Sequence, residues 1–205
     1  LHSCPTRRSS DLKGKLHPWV SRGGMKLAHA LEVFDIGVAD KTCLDLGAST
    51  GGFTDVLLQN GAAKVFAIDV GSDQLHEKIA QDPRVINLQG LHAKDVTADH
   101  VTEEIDFLCV DLSFISVTKA LPFVLPFLSQ TARMAVLIKP QFEAGRENIG
   151  KGGIVKDEAA QKAAIDTVLR FLQEQGFLLS DVIASPIEGG DGNREFLVAA
   201  SRPES

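Results

Sequence analysis

Cysteine is scarce: Cys4, Cys43 and Cys109 are the three in 205 residues. An odd number so widely scattered supports neither a disulfide framework nor a zinc cluster, so no metal is expected and a reducing compartment, the cytoplasm, fits best. Long apolar runs are missing too. The longest, Ala120 to Leu128, is interrupted by Pro122 and Pro126, whereas a membrane-spanning helix needs about 20 mostly apolar residues. No membrane partner is expected. Internal repeats and low-complexity linkers are absent, and 44% hydrophobic with 23% charged residues excludes disordered, collagenous and coiled-coil classes. Basic charge is in deficit, with 21 Lys and Arg against 27 Asp and Glu, a net of −6. Taken alone, that balance argues against a protein that coats nucleic acid through an overall basic field.

What is present suits one domain of ordinary size. Residues 1–12, LHSCPTRRSSDL, are polar and aperiodic and lack the apolar centre of a secretory signal, so they read as an extraneous or disordered leader. From Lys13 onward, β-rich runs alternate with helical stretches. Strands are expected at Thr42 to Leu46, Lys64 to Val70, Val85 to Leu88, Phe107 to Leu112, Met134 to Lys139, Leu178 to Ala184 and Glu195 to Ala200. Helices are expected near Met25 to Phe34, Phe53 to Asn60, Asp73 to Ala80, Ser116 to Leu128 and Asp157 to Gln175. Continuous apolar runs such as CLDL, VFAI, FLCV and MAVLI suit strands buried on both faces of a parallel sheet. The alternation predicts a doubly wound, Rossmann-like α/β fold. Only the turn-rich SPIEGGDGN separates the last two strands, which should therefore pair antiparallel.

The sharpest local signal is Asp45-Leu46-Gly47-Ala48-Ser49-Thr50-Gly51-Gly52-Phe53, between the first strand and a helix. Small residues let a backbone approach a ligand, and the helix start offers free N–H groups. The spacing G-x-x-x-G-G, with no lysine after it, satisfies neither the dinucleotide fingerprint nor the P-loop. It resembles the first motif of S-adenosylmethionine-dependent methyltransferases. The next strand ends in Asp69-Val70-Gly71, and a carboxylate at that tip can accept both hydroxyls of a ribose. Asp111 and Lys139 each follow an apolar run and should emerge at the same sheet edge; Glu195 reaches that edge by opening an antiparallel strand. Lys26 stands just ahead of the first strand.

The strings VSRGGMKL, LDLGASTGGFTD, AIDVG, VDLSFIS, LIKPQFEAGR, GKGGIVKD and GNREFLVAAS, spread from Val20 to Ser201, resemble the TlyA, or haemolysin A, family of ribosomal-RNA 2′-O-methyltransferases within the FtsJ-like group. The resemblance implies a catalytic tetrad of Lys26, Asp111, Lys139 and Glu195. It also implies S-adenosylmethionine held around Asp45, Gly47, Ala48, Ser49, Thr50, Gly51, Gly52, Phe53, Asp69, Val70, Asp95 and Asp111. Residues 22–203 would form the methyltransferase domain and residues 13–21 the remnant of a linker. The family's N-terminal S4-type RNA-binding domain would be absent. His92 departs from the family's usual Asn ahead of Ala93-Lys94-Asp95, and Gly190 from the Pro expected in the GxxGN turn before the last strand.

The activity so implied is methyl transfer to a ribose 2′-hydroxyl of ribosomal RNA in ribosomal subunits, at a cytidine, by a protein expected to be monomeric. Lys139 is the candidate base. A lysine serves so at neutral pH only where desolvation or a neighbouring cation favours its neutral form; Lys26 would supply that cation, and the two acids oppose it. Lys13, Lys15, Arg22, Arg146, Lys151 and the nearby Lys156 are the candidate phosphate contacts, the last three in a glycine-rich loop expected to be mobile. Phe114 and Phe142 are expected to pack in the core rather than stack on bases. The competing classes are a membrane-active haemolysin and an RNA-binding module without catalysis.

Overall fold

The computed structural model describes residues 17–205, so the leader, Cys4, Lys13 and Lys15 lie outside the described residues. Strands β1 (Thr42–Leu46), β2 (Lys64–Asp69), β3 (Val85–Gln89), β4 (Ile105–Val110), β5 (Leu128–Ile138), β6 (Leu178–Leu179), β7 (Ile183–Ala184) and β8 (Phe196–Ser201) form one sheet. Its order is β3-β2-β1-β4-β5-β8-β6, with β7 also paired to β8. Strands β1 to β5 run parallel. Strand β8 runs against β5, β6 and β7, as the short SPIEGGDGN connection predicts.

Helices α1 (Gly24–Val33), α2 (Gly52–Gln59), α3 (Glu77–Ala80), α4 (Val117–Ala120), α5 (Pro140–Glu143) and α6 (Glu158–Glu174) complete the fold. Leu44, Leu46, Leu108 and Val110 share one core with Val117, Val168 and Leu172 of α4 and α6. Cys43, Phe107 and Cys109 face the other core with Leu27, Leu31, Val56 and Leu57 of α1 and α2. Covering both faces of a strand demands apolar residues at successive positions, which accounts for the unbroken runs. Helix α6 buries Ala160, Ala164, Val168 and Leu172 at four-residue spacing, and its Asp157 cap accepts the Ala159 N–H at 3.1 Å.

The strand expected at Met134 to Lys139 begins earlier, at Leu128, and three other expected elements differ. The helix at 73–80 shrinks to α3, because the amides of Gln74 and Leu75 donate to the Gln89 side-chain oxygen at 3.3 Å each. The helix at 116–128 stops after α4. Pro122 and Pro126 instead sit in the short 3₁₀ turns Leu121–Phe123 and Leu125–Phe127, since proline lacks the N–H that a longer helix would use. The expected strand at 178–184 divides into β6 and β7, where the Ser180 hydroxyl takes the Ala199 amide at 2.9 Å.

Candidate active site

Five parallel strands end, and β8 begins, along one edge of the sheet. There the turn after β1 folds back so that the Gly47 and Ala48 amides both donate to the Ile68 carbonyl at 2.9 Å. Gly47 has φ +94°, and a Cβ there would lie 1.9 Å from the Asp111 carbonyl oxygen. Only glycine allows the turn to rest on the end of β4. At the tip of β2, Asp69 accepts the Ser49 and Gly71 amides at 2.7 Å, one on each carboxylate oxygen. A cavity of about 650 Å³ opens between these elements.

Gly47, Ser49, Asp69, Val70 and Asp111 line this cavity. Ala48, Gly51, Gly52 and Phe53 are buried behind the turn, and Thr50, though exposed, is not among the lining residues. Asp95 is exposed on the 3₁₀ turn Ala93–Asp95 and outside the lining, which takes His92, Ala93 and Lys94 instead.

Asp45 is fully buried one step back from the cavity. One carboxylate oxygen accepts the Thr54 hydroxyl at 2.7 Å and the other has no hydrogen-bond partner among the described residues. Burial pushes this carboxyl up to about 7, against the Thr54 hydrogen bond and with added repulsion from Asp111 and Asp69. The folded protein therefore holds a proton here that the unfolded chain releases near the ordinary carboxylate range. Asp45's contribution to stability is complete at low pH and is lost as pH rises through about 7. Between pH 5 and 8 this group is expected to remove about 3 kcal/mol of stability, and Asp45→Asn to flatten that part of the profile. Urea unfolding of both proteins across this range checks it; equal pH slopes would refute the assignment.

Beside the cavity lie two ion pairs. Lys139, directly after β5, places its Nζ 2.6 Å from Asp111 Oδ1 and donates to Ser113 Oγ at 3.1 Å. Lys26 of α1 donates to Glu195 Oε2 at 2.6 Å. Three of these four residues are buried: Lys26, Lys139 and Glu195. Buried charges persist only when paired, so each lysine and acid supports the other. A second cavity of about 460 Å³ adjoins the first. Asp111 lines only the first and Glu195 only the second, while Ser113, Phe114 and Lys139 line both.

Phe114 does not pack in the core. It is 91% exposed, has a left-handed φ of +66°, and meets the Phe142 ring at 5.2 Å between centroids. Arg146 and Lys151 are exposed on the 3₁₀ turns Arg146–Asn148 and Lys151–Gly153, the second beside the second cavity, and Lys156 is exposed just beyond. Arg22 is also exposed and donates to the Glu188 carbonyl at 2.8 Å. The glycine-rich loop is better anchored than its composition implies. Asn193 donates to the Gly153 carbonyl and accepts the Val155 amide, both at 3.0 Å.

Two further residues escape sequence reasoning. Glu143 accepts the Ser116 hydroxyl at 2.5 Å and the Val117 amide at 2.8 Å, tying the loop after β4 to α5, and burial raises its carboxyl. Ser113 reaches Lys139 across 26 residues of sequence. Neither contact has a local periodic signal.

Comparison with known proteins places this geometry among relatives. The family model described as FtsJ-like methyltransferase matches residues 19–202. The 16S/23S rRNA (cytidine-2′-O)-methyltransferase TlyA of Mycobacterium tuberculosis is 45% identical over 88% of the chain and 67% of its own length. Hemolysin A of Brachyspira hyodysenteriae is 43% identical over 87% of the chain and 75% of its own length. The crystal structure of a candidate hemolysin from Lactococcus lactis superposes with a TM-score of 0.87 at 45% identity, covering 90% of this chain and 89% of that one. Among the described residues, no helix is long and apolar enough to cross a membrane.

Proposed function

The chain belongs to the FtsJ-like methyltransferase family, and from that premise we propose that it transfers a methyl group from S-adenosylmethionine to a cytidine 2′-hydroxyl of ribosomal RNA. The observation that carries the reading is a pair of lysine–acid contacts, one through Lys139 on the wall the two cavities share and one whose acid, Glu195, lines the second cavity. Relatives at 43 to 45% identity that are named as rRNA methyltransferases support the substrate class.

The first cavity fits the cofactor. Its volume lies in the usual range of small-molecule sites, roughly 300 to 1,000 Å³. A carboxylate has about four acceptor positions, and the two backbone amides on Asp69 leave room for the two hydroxyls of a ribose. Gly47 and Ser49 would lie along the remainder, with Asp111 on the side toward the second cavity. When bound, the cofactor supplies a methyl group already activated as a sulfonium substituent.

The chain then has to orient the acceptor hydroxyl and remove its proton. Lys139 takes the proton, being the amine that lines both cavities. Asp111 holds that amine in place, and the Lys26–Glu195 pair presents a carboxylate to the acceptor side. Arg22, Arg146 and Lys151 would contact RNA phosphates around the second cavity; because such contacts are local, a net charge of −6 does not oppose them. Residues 22–203 are read as the methyltransferase unit.

The test is mass spectrometry of ribosomal RNA digests after incubation with protein and cofactor, alongside calorimetry of cofactor binding. A 2′-O-methylated cytidine is expected. A methylated base, or cofactor binding with no RNA product from either ribosomal subunit, would overturn the reading.

A further inference from the structure

An amine nitrogen has four tetrahedral directions, one of them its bond to Cε. In Lys139 one of the other three faces Ser113 Oγ at 3.1 Å, and Asp111 Oδ1 lies 2.6 Å from the nitrogen. The two contacts differ in kind. The Asp111 oxygen is close enough for an ion pair yet off-line for a hydrogen bond, whereas the serine oxygen accepts an N–H with hydrogen-bond geometry. An ion pair attracts the nitrogen without setting its rotation about the Cε–Nζ bond. The directional bond to Ser113 supplies the missing constraint.

We propose that Ser113 is a positioning residue for methyl transfer, holding one N–H of Lys139 so that a free direction of the amine meets the acceptor hydroxyl. This rests on the assignment of Lys139 as the group that takes the proton. Before the step the Lys139 ammonium gives one proton to bulk water; the amine so formed keeps one N–H on Ser113 Oγ and turns its lone pair toward the acceptor. The 2′-hydroxyl proton then passes to that lone pair as the oxygen bonds to the methyl carbon, and the carbon–sulfur electron pair stays on sulfur.

The surrounding chain holds Ser113 where this role needs it. Ser113 lines both cavities, as Lys139 does. The next residue, Phe114, adopts a left-handed backbone with its ring exposed, a conformation that a non-glycine residue keeps only when its surroundings impose it. Glu143 fixes the far end of this loop through Ser116 and Val117 and stands on α5, which begins immediately after Lys139. The serine hydroxyl and the lysine amine are thus mounted on two pieces of backbone that a third residue clamps together.

The test compares Ser113→Ala and Ser113→Thr in single-turnover methyl transfer to ribosomal subunits. Ser113→Ala is expected to lower the rate about 10- to 100-fold, with cofactor affinity by calorimetry and KM for RNA within about two-fold of the parent. Ser113→Thr, which keeps the hydroxyl, should recover most of the rate. In the cofactor-free protein, NMR of the lysine amine should show faster exchange of the Lys139 Nζ protons with water in Ser113→Ala. Adding Ser113→Ala to Lys139→Ala should cause no further loss. If Lys139→Ala is inactive while Ser113→Ala keeps the parent rate, the positioning role fails and the base assignment stands. If Lys139→Ala keeps the parent rate, the base assignment fails and the positioning role with it.

Discussion

Lys139→Ala is expected to reduce single-turnover methyl transfer by about three orders of magnitude, the middle of the range for losing a general base. The reason lies in the cavity walls. Asp111 faces only the first cavity and Glu195 only the second, whereas the Lys139 amine borders both and is poised between donor and acceptor. Water cannot readily replace a buried amine held by an ion pair and a hydroxyl. Cofactor affinity should change little, because Asp69 and the turn around Gly47 supply the other wall of that cavity. The combination of lost rate and retained affinity distinguishes a reacting group from a binding one. Labelled methyl transfer with parallel calorimetry measures both, and a rate within about ten-fold of the parent would remove Lys139 from the chemistry.

The second large effect concerns stability. Lys26→Ala strands Glu195, 3% exposed, without the ammonium that neutralises it at 2.6 Å. Breaking a buried pair from one side costs about 3 to 5 kcal/mol, because the remaining charge stays desolvated. For a chain of this size that corresponds to a fall in Tm of roughly 10 °C. Replacing both partners, as Lys26→Met with Glu195→Leu, removes both charges together and should restore much of the loss while leaving methyl transfer absent. Denaturant unfolding and methyl-transfer assays on the single and double variants separate the two contributions. A double variant as unstable as the single one would show that packing around the pair, rather than charge, sets the cost.

The parallel strands are legible in the sequence because a strand covered on both faces must be apolar at consecutive positions, and CLDL and FLCV contain little else. Asp69 is legible for a related reason: an acid ending such a run has to emerge at the sheet's edge. The same logic brings Asp111, Lys139 and Glu195 to that edge, where the structure has them. What stays hidden are the pairings. Lys26 and Glu195 are 169 residues apart, and no local pattern says which lysine meets which acid. Phe114 misleads because an aromatic in an apolar string usually packs inside, while a left-handed backbone turns this one outward. Pro122 and Pro126 divide what composition alone presents as one helix.

The placement of β8 also has a consequence for folding. This strand lies between β5 and β6, runs opposite to β5 and delivers Glu195 to an amine near the start of the described chain. Until β8 docks, Lys26 has no carboxylate partner and half of the charged cluster is missing. Contacts so distant in sequence close slowly, because chain entropy must be lost before they form. A partly folded chain, however well it builds β1 to β5, would therefore be catalytically silent, and the appearance of activity during refolding would time the insertion of the C-terminal strand.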